Sequence, residues 1–507
     1  MRPYHILLFL LLVFALGLGT AAVWPKNGLP LTREWRLSFA SLDDVFGSDT
    51  TRQVNLDSLL ASYEVTFDST AIKDSLQRAQ IAYRLKMMRI QYADSSARLN
   101  HFFQALYERE QGVGKVRILH YGDSQIEGDR ITSDIRNGLQ KLFGGSGPGY
   151  VSACPLTSSI SLNNVRSANW RRFPVFGNQD STLMHNHFGM YAEFSRFTAF
   201  PRIDTVFQEP STTTIKSSGG ARDTTFLPDP KIVKLLPHDT TVHAWIELSP
   251  SKIGYMTSRR FTKMTILFRN PDAPFKLRVV LSDSTESRRD FAINPNAREY
   301  TQSFVSSPDL IRLEFEAKSS PDIYGIRLEN DYGIVMDNIP MRGSSGTYFG
   351  KINNAEMATQ FSSTNPDLII LQFGGNTVPY MTNDKVGQYG NWFAAQIRYL
   401  KRMNPQCDFV LIGPSDMSIK EGTKYITYPI LPAVRDVLRT TALDNGIGYW
   451  DMYEVMGGRN SMPSWVSADP PLAAPDYVHF TRQGAQKVAQ LFYDALMKDY
   501  EEWKSGK

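Results

Sequence analysis

Leu99, Phe102, Phe103, Leu106 and Tyr107 recur at the i, i+3, i+4, i+7 and i+8 spacing of a helix with one buried face. Ser95 or Ser96 is placed to cap its start. The run Val116-Arg117-Ile118-Leu119-His120-Tyr121 then predicts a strand that ends at a Gly-Asp-Ser turn. A helix from about Arg130 to Phe143 follows, closed by the glycines between Gly144 and Gly149. The same alternation resumes only near residue 333. There the strands are Ile334 to Asn338, Leu368 to Gln372, Phe409 to Gly413 and Ile447 to Met452. Helical stretches lie around Trp392 to Arg402 and Leu431 to Leu443. A last helix, capped by Thr481, buries Ala485, Val488, Leu491, Phe492 and Ala495. Short, wholly apolar strands alternating with helices predict an α/β domain whose parallel sheet is covered on both faces.

The interval from about 165 to 330 has a different period. Ile311, Leu313 and Phe315 alternate with Arg312, Glu314 and Glu316. Met264, Ile266 and Phe268 alternate likewise, as do Leu277, Val279 and Leu281. Strands with one wet face, separated by proline and glycine clusters, predict an all-β, sandwich-like module inserted into the α/β domain. Residues from about 25 to 70 are polar and weakly periodic and read as a juxtamembrane stalk or an ill-packed region. Ahead of them, Arg2 precedes an uncharged apolar run from Ile6 to Val23, with small residues at Gly19-Thr20-Ala21-Ala22. This is an export signal, long enough either to be cleaved after Ala22 or to stay as a single membrane anchor.

At 507 residues the chain has room for two or three domains. Its 55 basic and 51 acidic side chains leave a formal charge of only +4 with no dense basic run, which argues against a nucleic-acid partner. The two cysteines, Cys154 and Cys407, form no metal or disulfide pattern and read as buried thiols. His185 and His187 have chelating spacing but no third ligand, so a loop or core contact is the preferred reading. The glycine run Gly145 to Gly149 lacks the Lys-Ser/Thr of a phosphate loop and reads as a loop near the active-site rim. Trp245 and Tyr255 of the β module have faces that suit sugars, although packing in the core is the commoner use of an aromatic ring.

Four short motifs carry chemistry. Gly122-Asp123-Ser124-Gln125 presents a serine hydroxyl at the end of a strand. Asp476-Tyr477-Val478-His479 lets a carboxylate reach back to an imidazole and leave its other nitrogen free as a base. His479 is the only histidine after residue 243, so the C-terminal half holds no rival. Gly374-Gly375-Asn376 follows a strand and offers an amide to an oxyanion. Gly343, with Gly346 as the alternative, supplies a backbone amide beside that of Ser124.

Ser, Gly, Asn and His in this order on a βα scaffold resemble the sequence blocks of the SGNH, or GDSL-like, hydrolases. The resemblance implies a flavodoxin-like five-stranded parallel sheet and catalysis by Ser124, Asp476 and His479. It also implies an oxyanion hole formed by Ser124, Gly343 and Asn376, with no metal or organic cofactor. Two positions depart from the frequent pattern. Gln125 stands where many members have leucine, as in the peptidoglycan and polysaccharide esterase branches, and Thr377 replaces an aspartate. An inserted β-rich module is likewise similar to the architecture of bacterial O-acetylpeptidoglycan esterases. The expected layout is residues 1–24 as signal or anchor, 25–98 as stalk and helical region, 99–165 and 331–507 as the two parts of the catalytic domain, and 166–330 as the β insertion. The expected activity is removal of O-acetyl groups from peptidoglycan or another envelope polysaccharide, with the β insertion able to touch glycan and the membrane reached only through the N-terminal segment. A polysaccharide O-acetyltransferase using the same residues, and a non-catalytic glycan-binding protein, are the alternatives.

Overall fold

The computed structural model describes residues 82–177, 180, 183–199, 240–269, 273–294 and 298–507. It also gives the backbone of four strands between 202 and 235, two short strands at Leu29–Pro30 and Arg36–Leu37, and Thr20. Apart from Thr20, the apolar run from Ile6 to Val23 lies outside these residues. Among the described residues no helix is long and apolar enough to cross a membrane. The chain divides into two compact units. One contains residues 1–138, 339–350 and 365–507, and the other 139–338 and 351–364.

The first unit is built on a five-stranded parallel sheet. Its strands are β1 (Lys115–Gly122), β2 (Gly333–Pro340, which begins in the second unit and enters the first at Ile339), β3 (Leu368–Gln372), β4 (Asp408–Ile412) and β5 (Gly448–Trp450). Their order is β2-β1-β3-β4-β5, the flavodoxin-like arrangement that the resemblance implied. The apolar strand residues Ile118, Leu119, Tyr121, Ile369, Ile370, Leu371, Val410 and Leu411 are all buried, as expected for a sheet covered on both faces. Register then aligns the strand ends. Gly122 pairs with Gln372, Gln372 with Ile412, and Ile412 with Trp450. The backbone continues this alignment one residue further, through Asp123 N to Gln372 O, Gly413 N to Trp450 O and Met341 N to Gly122 O. Four loops, leaving at 123, 341, 373 and 413, therefore gather at one edge.

The longer helices of this unit are α1 (Asn100–Glu110), α2 (Thr132–Phe143, which runs on into the second unit), α3 (Asn383–Met403), α4 (Leu431–Asp444) and α5 (Arg482–Ser505). Phe103 of α1 packs its ring against Tyr500 and Trp503 of α5, at centroid distances of 5.8 and 6.0 Å. The cap expected at Ser95 or Ser96 is not formed: α1 begins after Leu99, which makes no side-chain cap bond, and both serines lie in a separate 3-10 turn headed by Asp94, whose carboxylate takes the amides of Ser96 and Ala97. The segment ahead of α1 is tied to this unit as well. Gln91 exchanges both backbone hydrogen bonds with Tyr449, and Arg89 pairs with Asp499.

The second unit is a β-sandwich. One antiparallel sheet runs, in order, Glu286–Phe291, Phe275–Leu281, Ile311–Ala317, Val242–Pro250 and Leu162–Arg166. The other runs Glu299–Ser303, Lys263–Arg269, Asp322–Glu329, Glu193–Phe197 and Trp170–Pro174, with Gly149–Val151 added beside Asp322–Glu329. The alternating residues Ile246, Leu248, Met264, Ile266, Leu277, Leu313, Phe315 and Ile326 form one buried core between them. The helix Asn354–Thr364 also belongs to this unit. His185 lies against Asp322 and Arg196, and His187 faces Glu356, so both sit in ion-pair surroundings. The glycine run packs elsewhere than at an active-site rim: Gly145 abuts the backbone of Ile334 and Gly147 that of Leu328, approaches that a Cβ would block. Trp245 is not a core residue. It is half-buried on the outer face of its sheet, with the Arg312 guanidinium 4.5 Å above its ring.

The start of α5 sets the position of the segment before it. Thr481 caps the helix by accepting from Gly484 N at 3.2 Å, and Thr481 N in turn donates to Leu472 O at 3.0 Å. A Cβ on Gly484 would fall 1.7 Å from that same carbonyl. Gly484→Ala should therefore destabilise the protein by about 1–3 kcal/mol, as overpacking does, read as a lowered midpoint in thermal or urea unfolding. An unchanged midpoint would show that the 472–484 contact is not a constraint.

Candidate active site

β1 ends at Gly122, where a Cβ would meet Ile126 at 2.9 Å and Gln372 O at 3.2 Å, so the turn there needs glycine. The Asp123 carboxylate accepts from Gln125 N at 2.9 Å and caps the 3-10 turn Ser124–Asp129. Ser124 is thereby fixed at the head of the turn, with its Oγ 2.9 Å from His479 Nε2. On the far side of the ring, Nδ1 lies 2.8 Å from Asp476 Oδ2. The other carboxylate oxygen accepts the amides of Val478 and His479 at 2.9 and 3.0 Å. One carboxylate thus orients both the imidazole and the backbone that carries it.

Tyr477, between these residues, has a left-handed φ of 58°. Such a conformation is costly for a bulky residue and persists only when its surroundings enforce it. Its ring stacks on Tyr425 at 3.6 Å, and its carbonyl accepts from Ser418 N at 3.0 Å. Both partners sit on the hairpin formed by Ser418–Glu421 and Lys424–Thr427, which braces the histidine loop.

Ser124, His479, Gly343 and Asn376 line one cavity of about 550 Å³. The Asn376 amide is oriented by donating to Ser344 O at 3.2 Å, which leaves its second N–H for another acceptor. Of the two candidate glycines, Gly343 lines the cavity. Gly346 is packed against Phe373 and Phe393, and its amide is taken by Ser344 Oγ at 3.0 Å. Thr377, in place of the frequent aspartate, donates its hydroxyl to Gly374 O at 2.6 Å and closes the turn. Together the arrangement can deprotonate a hydroxyl and present polar N–H groups near it. Among the described residues no group of three or more His, Cys, Asp or Glu is placed to hold a metal ion.

Burial pushes the Asp123 carboxyl up to about 6, against the pull of the Gln125 amide. Burial also acts on Asp476, but the hydrogen bonds from His479 and Val478 outweigh it and leave this carboxyl below its ordinary value. Asp476 therefore stays ionised, as an orienting carboxylate must. The other histidine of the sheet, His120, is enclosed between Gln372 Oε1 at 3.1 Å and Thr132 Oγ1 at 2.9 Å. Burial drives its pKa down to about 3, so it is a neutral packing group.

Two features of the site were not read from the sequence. Gln125 donates to Val478 O at 2.7 Å and accepts from Phe480 N at 3.5 Å, so its amide clasps the histidine loop from both sides. The signal was its polar identity at a position where apolar side chains are frequent. Glu127 is buried and binds Arg342 through both carboxylate oxygens, a partner 215 residues away that no local pattern reveals. Gln125→Leu should leave the Val478 carbonyl unpaired at a cost of about 1–3 kcal/mol. It should also speed amide exchange at Phe480, measured by hydrogen–deuterium exchange with mass spectrometry. Exchange there as slow as in the parent protein would contradict the clasp.

The profile of the GDSL-like lipase/acylhydrolase family matches residues 301–487. That stretch holds Gly343, Asn376, Asp476 and His479, while Ser124 lies ahead of it. Curated protein sequences give no match. Among solved structures, the chain is similar to a peptidoglycan O-acetylesterase at 20% identity and a TM-score of 0.58, covering 82% of this chain and 99% of that one. It also matches a family two carbohydrate esterase from Cellvibrio japonicus, at 9% identity and a TM-score of 0.23, over 67% of this chain and 98% of the other. Of the two, the first superposes well enough to show a shared fold. The family profile over residues 301–487, the shared fold, the sheet order and the order of the motifs agree with one another and support the SGNH, or GDSL-like, hydrolase superfamily.

Proposed function

We propose that this protein is an exported serine esterase that removes O-acetyl groups from peptidoglycan or another envelope polysaccharide. The observation that carries the reading is the continuous chain Ser124 Oγ, His479, Asp476, with contacts of 2.9 and 2.8 Å. In this reading Ser124 attacks the acetyl carbonyl while His479 takes its proton. The amides of Ser124 and Gly343 and the Asn376 side chain hold the oxyanion. His479 returns the proton to the departing sugar oxygen, and water, activated by the same imidazole, then cleaves the acetyl-enzyme. Asp476 holds the ring throughout.

A short acyl group suits the surroundings of Ser124. Arg130, Glu127 and Arg342 share its cavity, and laying a long alkyl chain against charged groups would cost their hydration without returning a hydrogen bond. The shared fold with a peptidoglycan O-acetylesterase supports a glycan-borne ester. The apolar run from Ile6 to Val23 supports a place in the cell envelope.

Ser124→Ala and His479→Ala should each reduce acetate release from O-acetylated glycan by at least about 10³-fold, with thermal unfolding unchanged. Undiminished release by the serine variant would refute the assignment. Wild-type transfer of acetyl to an added glycan, in preference to water, would make the protein a transferase instead.

A further inference from the structure

The cavity beside Ser124 contains two guanidinium groups, from Arg130 and Arg342. They are not equivalently satisfied. Arg342 spends Nε and Nη2 on the two carboxylate oxygens of Glu127, at 2.8 and 2.5 Å. Arg130 donates Nε to the Glu127 carbonyl at 3.0 Å. Its terminal nitrogens have no hydrogen-bond or ion-pair partner among the described residues, although the side chain is half-buried. The other acids lining or flanking the cavity are engaged elsewhere. Asp476 is bound to His479, and the Asp123 carboxylate accepts from the Gln125 amide. The Glu127 carboxylate is paired with Arg342, and no carboxylate of the described residues makes an ion pair with Arg130.

The backbone holds Arg130 in this position. Gly128 and Asp129 adopt left-handed φ values of 65° and 66°, and this kink turns the chain after the 3-10 turn that starts at Ser124. Asp129 is itself buried and paired with Arg136. Arg482, anchored on Asp134, donates to the carbonyl of Arg130 at 2.7 Å. An Arg with its Nε occupied presents its two terminal nitrogens side by side, in the plane that matches the two oxygens of a carboxylate. Leaving such a cation half-buried and unpaired costs hydration, and an incoming anion would repay that cost. Consistent with this, burial and the neighbouring Arg342 hold the Arg130 guanidinium below its ordinary value.

We propose that Arg130, with Arg342 at its side, forms a carboxylate subsite next to Ser124, and that the acetylated glycan this protein processes is anionic. The proposal rests on the ester-hydrolysing reading of the site and names its substrate class. The carboxylate can belong to the sugar ring, as in a polyuronate, or hang from it, as in the lactyl and peptide groups of peptidoglycan.

The test compares acetate release from three substrates: an O-acetylated polyuronate, O-acetylated peptidoglycan and a neutral O-acetylated xylan. The wild-type protein should favour at least one carboxylated glycan over xylan by about tenfold in kcat/KM, the scale of one charged hydrogen-bonded pair. The substrate that shows the preference identifies the source of the carboxylate. Arg130→Gln should collapse that ratio chiefly through KM, and Arg130→Lys should restore part of it. Arg342→Gln, which releases the Glu127 carboxylate towards Arg130, should lower the ratio as well and gives a second route if the first variant unfolds. Equal use of all three substrates by the wild type, with release lost in Ser124→Ala, would overturn the carboxylate subsite and leave the esterase reading intact. A ratio unmoved in both folded Arg130 and Arg342 variants would overturn it too. Absence of Ser124-dependent release from any of the three would overturn the esterase reading, and this one with it.

Discussion

A serine hydroxyl and an imidazole separated by 355 residues of chain must meet at hydrogen-bond distance, and much of the first unit can be read as the means to that end. The hydroxyl is placed by the carboxyl end of β1 and the imidazole by the loop that leads into α5. In-register parallel pairing puts the ends of β1, β3, β4 and β5 at one level, so that the loops leaving them share a cavity. The helix cap at Thr481 and the close approach of Gly484 to Leu472 then fix the loop that brings the histidine to it.

Local bonds hold this meeting in place from both sides. Asp476 binds the ring and two backbone amides of its own loop. Gln125, adjacent to the serine, binds the backbone on either side of His479. The hairpin that carries Tyr425 braces the strained Tyr477. Each is a short-range, directional contact, so the geometry is preorganised rather than assembled when substrate arrives. The β-sandwich interrupts the sequence between β1 and β2 but supplies none of these bonds.

Much of the fold was legible because its strands are short and carry continuous apolar runs. Leu368–Gln372 was predicted to the residue, and Asp408–Ile412 differs from expectation by one position at each end. α3 begins nine residues before the predicted Trp392, because its first turns are polar and mostly exposed and carry little periodicity. Alternation predicted the sandwich strands at 264–268, 277–281 and 311–315, where one face is wet. The four site motifs could be recognised as local patterns, and the choice between Gly343 and Gly346 could not. That choice depends on Phe373 and Phe393, which pack over Gly346 from other elements. The Glu127–Arg342 pair and the unpaired nitrogens of Arg130 were hidden for the same reason: they exist only once distant segments fold together.

In the proposed chemistry the Ser124 hydroxyl owes its nucleophilicity to His479. This dependence can be measured without knowing the natural ester, by treating the folded protein with a fluorophosphonate and locating the adduct by peptide mass spectrometry. A single stoichiometric adduct should form on Ser124, and far more slowly when His479 is replaced by alanine. Labelling at another residue, or labelling of Ser124 at the same rate without the imidazole, would contradict it.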